Sequence, residues 1–114
     1  MNSILTDVKS MLGIVEEDES FDNQLIMFIN AAFMTLRQLG IGPVEGFNIT
    51  DKTSVWTDYI ENIETLSLVQ PVVYMRVKLM FDNTLTGPAT EAIKNQISEY
   101  EWRLNVEVDP NTAQ

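Results

Sequence analysis

The stretch that decides the fold is residues 67–81, which read SLVQPVVYMRVKLMF. From Val72 onward its apolar residues cover almost the whole circumference of a helix, and only Arg76 and Lys78 interrupt them. Ser67 and Gln70 have the spacing of a capping box, and Pro71 is expected in a first turn, so the pattern predicts a helix over about 68–81. A helix that is apolar nearly all round lies at the centre of a bundle or is covered on its second side by a neighbour.

Three further main helices are predicted around this one, over about 3–12, 20–39 and 88–104. Residues that cap, stop or start helices support these bounds: Ser3, Gly13, Gly40 and Pro88. A chain of 114 residues can bury one core, so we expect a single domain over residues 1–114. The predicted fold class is all-α, a small bundle of four main helices.

The connection over residues 40–54 contains three glycines and one proline, which predicts a long loop. Loops longer than about 12 residues tend to be functional or mobile. After it, Trp56, Ile60 and Ile63 follow one another at spacings of four and three, which predicts a short additional helix.

Composition excludes several classes of function. The chain has no cysteine and no histidine, so it lacks disulfides, a thiolate nucleophile, a Ser-His pair and a Cys/His zinc site. No constellation of nucleophile, base and oxyanion donors occurs, and we expect neither catalysis nor a cofactor. A formal net charge of −10 is the opposite of the basic surface that DNA recognition requires, although an acidic wall could surround DNA without binding it.

The acidic run EEDE at residues 16–19 is interpreted as a solvated segment. It lacks the alternating oxygen ligands and the turn glycine of a dedicated calcium loop. No apolar run approaches the ~18 residues of a membrane span, and the start lacks a secretory pattern. We therefore expect a soluble, intracellular protein with no membrane partner.

The second helix has apolar residues on two faces. Its core face carries Leu25, Ile29, Ala32 and Leu36. Met27 and Met34 fall almost opposite this face, at about 100° per residue, next to Ala31. Either another helix of the same chain covers both methionines, or they lie in a subunit interface, where Met is enriched.

The last helix carries a tryptophan away from its core face. Trp102 lies about 220° from Ala89, the first core-face residue, so it should be exposed in a monomer. It could lie flat over its own polar neighbours or over the long loop. Alternatively it is an interface anchor, a role that Trp often has.

Two further features have alternative interpretations. Leu104, Val106 and Val108 alternate with polar residues, which predicts an extended tail that adds as a strand to another chain's sheet edge; the alternative is a frayed end.

Arg76 and Lys78 point about 160° apart on their helix. Their charged ends lie in solvent or pair with an acid of the same chain, or one of them reaches a partner's carboxylate.

Two segments, YMRVKLMFD at 74–82 and EAIKNQISEYEWRLNVEV at 91–108, resemble the C-terminal half of the tailed-phage head-tail connector family. The short first helix, acidic joint, long second helix and Gly/Pro-rich loop are similar to its first half. The resemblance implies an α-helical virion protein without a cofactor. It implies a homo-oligomeric ring on the portal protein that extends the DNA channel and receives a tail or stopper protein at the head-tail junction, after assembly in the host cytoplasm.

The residue patterns and the resemblance together predict the residues of the subunit or partner interfaces: Met27, Met34, Arg76, Lys78, Trp102, Val106 and Val108. The loop over 40–54 is the candidate for an element that faces the channel or clasps a neighbouring subunit. A competing hypothesis is a small acidic helical regulator that binds a basic protein. A regulator of this kind could act by imitating the negative charge of a nucleic acid. It would then need its acidic residues on one face, whereas here they are spread over the loops and the outer faces of the helices. A carboxylate-only metal enzyme is a more distant alternative.

Overall fold

The computed structural model describes residues 3–108, with side chains through Val106. These residues form five helices and no β-strand; a single isolated bridge pairs Ser3 with Val55. The helices are α1 (Ile4–Met11), α2 (Asp22–Gln38), α3 (Trp56–Tyr59), α4 (Ile63–Phe81) and α5 (Gly87–Val108). The predicted all-α class is confirmed, and α1, α2, α4 and α5 are its four main helices.

Helix α4 is the central element, as its apolar circumference predicts. It packs against both α2 and α5, and α1 packs against α2 and α4. Helices α2 and α5 have little direct contact with each other, so they flank α4. The buried residues of α4 lie on its several sides: Thr65, Leu66, Val69, Val72, Val73 and Val77.

The predicted start of α4 is wrong by more than one turn. The helix begins at Ile63, and the side chain of Asn62 caps it by accepting a hydrogen bond from the Thr65 amide at 3.1 Å. The Ser67 hydroxyl, which was expected to cap the helix, instead donates to the Glu64 carbonyl. Pro71 therefore lies inside the helix. Burial of Leu66 and Val69 favours the additional turns enough to offset the hydrogen bond that Pro71 cannot donate.

The predicted change of period at Leu104 is also wrong for the residues described. Helix α5 continues through Leu104 to Val108, so this segment is not an extended strand. Leu104 is fully buried seven residues after Ile97, which places both on one helical face and continues the contact with α4. The rest of the predicted tail, residues 109–114, lies outside the described residues.

The connection between α2 and α3 contributes to the core. Ile41 and Ile49 are buried, and they join Trp56 and Tyr59 of α3 in the hydrophobic cluster of the main helices. The Trp56 indole is fully buried and donates a hydrogen bond from Nε1 to Asp7 Oδ2 at 2.8 Å. The predicted short helix is present as the single turn α3, and Ile60 follows it in an extended conformation.

Candidate assembly surfaces

The outward face of α2 forms a continuous exposed strip without charge. Its residues follow one another at spacings of three and four, so they lie along one side of the helix. We call them the α2 ribbon: Gln24, Met27, Ala31, Met34 and Gln38. The surrounding residues 23–44 contain no acid and one base, Arg37, so all seventeen acids of the chain lie elsewhere.

The two methionines of the ribbon are uncovered. The side chains of Met27 and Met34 are 66% and 63% exposed, whereas Leu25, Ile29, Ala32 and Leu36 on the opposite face are buried. The described residues therefore do not include a helix that covers the second face of α2, and the interpretation in which another helix of the same chain covers it is wrong. The two-sided pattern of the sequence corresponds to one face in the core and one face in solvent.

Trp102 is exposed, as its position on the helical wheel predicts. It is 67% exposed near the C-terminal end of α5, on the side of the helix away from the buried Ile97 and Leu104. An ion pair between Arg103 and Glu99, at 2.6 Å, lies on the same helix without covering the indole. A tryptophan with this exposure is a candidate anchor for a contact with another protein, because Trp is enriched among the residues that carry binding energy.

Arg76 is the residue that joins α4 to α5 electrostatically. Its Nε donates to Glu101 Oε2 at 2.8 Å, its second guanidinium nitrogen donates to the same oxygen, and both side chains are mostly buried. The carboxylate that pairs with Arg76 thus belongs to the same chain, and it immediately precedes Trp102. Lys78 is half-buried and makes no ion pair within residues 3–106.

Val106 and Val108 lie in the last turn of α5, and the side chain of Val106 is half-buried. The structure therefore places them at the end of a helix that begins at Gly87, not in a separate tail. Along α5 they follow Trp102 within two turns, so the predicted contact residues of this helix are concentrated at its C-terminal end.

The loop between α2 and α3 is fastened to α2 by side chains that the sequence interpretation missed. Asn30 forms two hydrogen bonds with the backbone of Ile49: its Nδ2 donates to the carbonyl at 3.0 Å, and its Oδ1 accepts from the amide at 2.8 Å. The Arg37 Nε donates to the Val44 carbonyl at 2.8 Å. Val44 is almost fully exposed at the tip. A polar Asn beside the core residue Ile29 was the available sequence signal.

The base of this loop packs closely on an aromatic cluster. Tyr59 stacks against Phe33 and Phe47, with ring centroids 4.4 and 5.2 Å away, and burial raises the pKa of its hydroxyl. Gly42 has a φ of +89°, and a Cβ atom there would lie 2.7 Å from the Tyr59 ring. Only glycine fits this position, so the path of the loop is fixed at its base.

The acidic segment, residues 15–22, is held in place by one buried lysine. Lys9 is 2% exposed; its Nζ pairs with Asp22 Oδ1 at 2.9 Å and donates to the Glu16 carbonyl at 2.8 Å. The other acids of the segment lie at the surface. The exposed Asp18 carboxylate accepts hydrogen bonds from the side chain and the amide of Ser20, which lower its pKa. The lone base on α1 that precedes the acidic run was the sequence signal for this contact.

Within the described part of the chain, no group of three or more acidic residues has the arrangement of a metal site. No helix between Ser3 and Val108 has the length and the apolar content needed to cross a membrane. The surfaces with exposed apolar side chains include the α2 ribbon, Trp102 near the end of α5 and the loop tip at Val44. All three consist of groups suited to contact with a protein.

The model of one family, described as phage connector protein, matches residues 4–111. The chain belongs to the phage connector protein family. The match extends from the first residue of α1 through all five helices, and it includes every predicted interface residue. Neither a curated protein nor a solved structure matches the chain. Membership of this family indicates a structural role at the head-tail junction of the virion, with portal and tail components as interaction partners.

Proposed function

We propose that this connector assembles into a homo-oligomeric ring beneath the portal, extends the DNA channel and receives a tail or stopper protein. The observation that carries the proposal is the pair of exposed apolar sites on helices that flank α4: the methionines of α2 and Trp102 of α5. A closed ring needs two different contact surfaces on each subunit, because its interfaces are heterologous. Two separated sites on one chain meet that requirement.

The charge of the chain supports the passage of DNA through such a ring without binding to it. Each copy carries a formal charge of −10, which repels phosphates and is the opposite of the charge that retains DNA. Sequence-specific DNA recognition is not part of the proposal. The assembled particle would form in the host cytoplasm and remain at the head-tail junction.

The end of α5 is proposed as a contact with the portal or with a neighbouring subunit. The half-buried Val106 follows Trp102 by about one turn of α5, and Lys78 supplies a base without an ion pair in residues 3–106. The tip of the loop at Val44 is the second element that this proposal assigns to a neighbour or to the channel. Deletion of residues 106–114 should reduce attachment to portal-bearing heads; undiminished attachment would remove the end of α5 from the proposal.

Electron microscopy of the purified protein, alone and mixed with its portal, tests the function directly. Annular particles, or a collar added to the portal, are expected. Trp102→Ala should weaken this assembly while the helical circular dichroism stays unchanged, because the side chain is exposed in the subunit. Strictly monomeric protein in both preparations would exclude the ring, and binding of a basic protein by that monomer would favour the acidic regulator.

A further inference from the structure

The ring contact can be assigned to particular side chains, starting from a hollow in the α2 ribbon. Met27 and Met34 are seven residues apart, about 10 Å along a helix, and the small Ala31 lies between them. Because Ala31 carries only a methyl group, the two longer thioether side chains border an open space. Methionine adapts its shape to a neighbour and makes favourable contacts with aromatic rings.

The hollow continues into a groove between α2 and α4. A cavity of about 150 Å³ opens beside Ala31 and is lined by six residues: Ala31, Ala32, Thr35, Arg76, Leu79 and Met80. Apart from Thr35 and Arg76, the lining is apolar. The Arg76 guanidinium is fixed at this place by Glu101, so it can offer a cation to an aromatic ring that enters the groove.

We infer that the indole of Trp102 in one copy packs over Ala31 of the next copy, between Met27 and Met34, with the edge of the ring in the groove between α2 and α4. This inference rests on the proposed ring and names the surfaces that form it. The donor is α5 and the acceptor is α2, which flank α4 in each subunit. The contact is therefore heterologous and can repeat from copy to copy.

Charge favours a second copy of this chain as the occupant. Two molecules of charge −10 repel each other, and the repulsion is smallest where one of the two surfaces has no acid. Residues 23–44 contain one base and no acid, whereas α5 contains four acids and two bases. The slightly basic α2 region and the acidic α5 are thus complementary, and Trp102 is the exposed aromatic residue of α5.

The absence of cysteine from the chain allows a clean cross-linking test. Gln38→Cys, one turn after Met34, and Ser98→Cys, one turn before Trp102, are both at exposed positions and leave the indole and the residues beneath it unchanged. With a short bismaleimide, the double variant should give a ladder of covalent multimers, alone or on the portal. A mixture of the two single variants should stop at dimers, and neither single variant should cross-link by itself.

Each other outcome of this experiment overturns the pairing. Dimers of Ser98→Cys alone would indicate a symmetric contact between two α5 helices. If the double variant assembles but gives no ladder, Trp102 contacts the portal or the tail protein and not the next copy. Val15→Cys combined with Ser98→Cys is the matched control, because Val15 is 64% exposed on a surface that the pairing does not use, and it should give no ladder.

A mutational cycle separates failure of this pairing from failure of the proposed function. Trp102→Ala and Ala31→Glu should each weaken assembly by about thirtyfold or more, as expected when a buried Trp anchor is lost. The double variant should be little worse than either one, because both changes remove one contact. If both variants assemble as the wild type does, the pairing is wrong and the ring remains. If the wild type never associates, both are wrong.

Discussion

The α2 ribbon and the acidic segment lie close together along the chain and differ in how they satisfy their exposed groups. The acidic segment exposes carboxylates that water solvates, and its mostly buried carboxylate, Asp22, has the buried Lys9 as its partner. The ribbon begins two residues later and exposes thioethers and a methyl group, which water does not stabilise. The carboxylates of the first surface need no partner beyond water and Lys9, whereas the thioethers of the second gain free energy when another protein covers them.

The largest expected effect comes from placing an acid in the ribbon. Met27→Glu would give the acid-free surface a carboxylate that must be desolvated opposite another acidic subunit, so we expect assembly to be lost. The measurement is the fraction of annular or portal-bound particles by electron microscopy. Val15→Glu is the matched control, since Val15 is equally exposed but belongs to the acidic segment, and it should assemble normally. Equal loss in both variants would mean that total charge, not the site, controls assembly.

The second prediction removes the ion pair that completes the acidic segment. Lys9→Met leaves the Asp22 carboxylate without its buried partner and should lower the free energy of unfolding by about 3 kcal/mol. Urea unfolding followed by circular dichroism measures this change. Lys52→Met, at an exposed lysine near the same surface, should change the stability by less than about 0.5 kcal/mol. Comparable stability of the two variants would contradict the role assigned to Lys9.

The third prediction uses salt to compare the two surfaces. Screening reduces repulsion between acidic subunits and has little effect on apolar contacts, so assembly through the ribbon should strengthen by a few-fold between about 0.05 and 0.5 M salt. Sedimentation of the wild type at several salt concentrations provides the measurement. Weakening over the same range would indicate that local attraction between the α2 region and α5 outweighs the repulsion between whole subunits.

The smallest expected effect concerns the acidic segment alone. Hydrogen bonds from Ser20 lower the pKa of Asp18 in the folded state. A depressed pKa stabilises the fold above the pKa of the unfolded state, and this contribution is lost as the pH falls through the folded value. Asp18→Asn should therefore reduce stability slightly at pH 7, and the difference from the wild type should shrink steadily as the pH falls below the ordinary Asp pKa of about 3.9. Urea unfolding over a series of pH values from 7 downward measures it, and a difference that does not shrink in acid would assign the effect to packing.

Much of the candidate site follows from helical periodicity. The position of Met27 opposite Leu25, and of Trp102 away from the core face of α5, depends only on the angle between successive residues. The structure confirms the predicted exposure of Trp102, and it decides the question left open for Met27, which is exposed as well. Their participation in an interface stays a prediction. Periodicity could not locate the ends of the helices. At the start of α4 two local caps compete, Asn62 and Ser67, and the structure uses Asn62. At the end of α5 the alternation that begins at Leu104 competes with the burial of Leu104, which depends on tertiary packing.

The contacts between distant residues could not be predicted in the same way. Arg76 has carboxylates on several elements as possible partners, and its pairing with Glu101 depends on how α5 packs against α4. The hydrogen bonds of Asn30 with Ile49, nineteen residues away, likewise depend on the path of the loop. Glycines and a proline predicted that loop, but not that Ile41 and Ile49 within it enter the core.

The sequence by itself determined that this protein is a helical bundle with a central apolar helix, an acid-free second helix and an outward Trp102. These properties follow from local repeat and composition, which fix the faces of a helix before it packs. Only the tertiary structure decided that the described residues leave the outer face of α2 exposed, that Glu101 forms the ion pair with Arg76, and that a groove opens beside Ala31. Such features depend on which helices become neighbours, and burial of the shared core selects that arrangement among residues far apart in the chain.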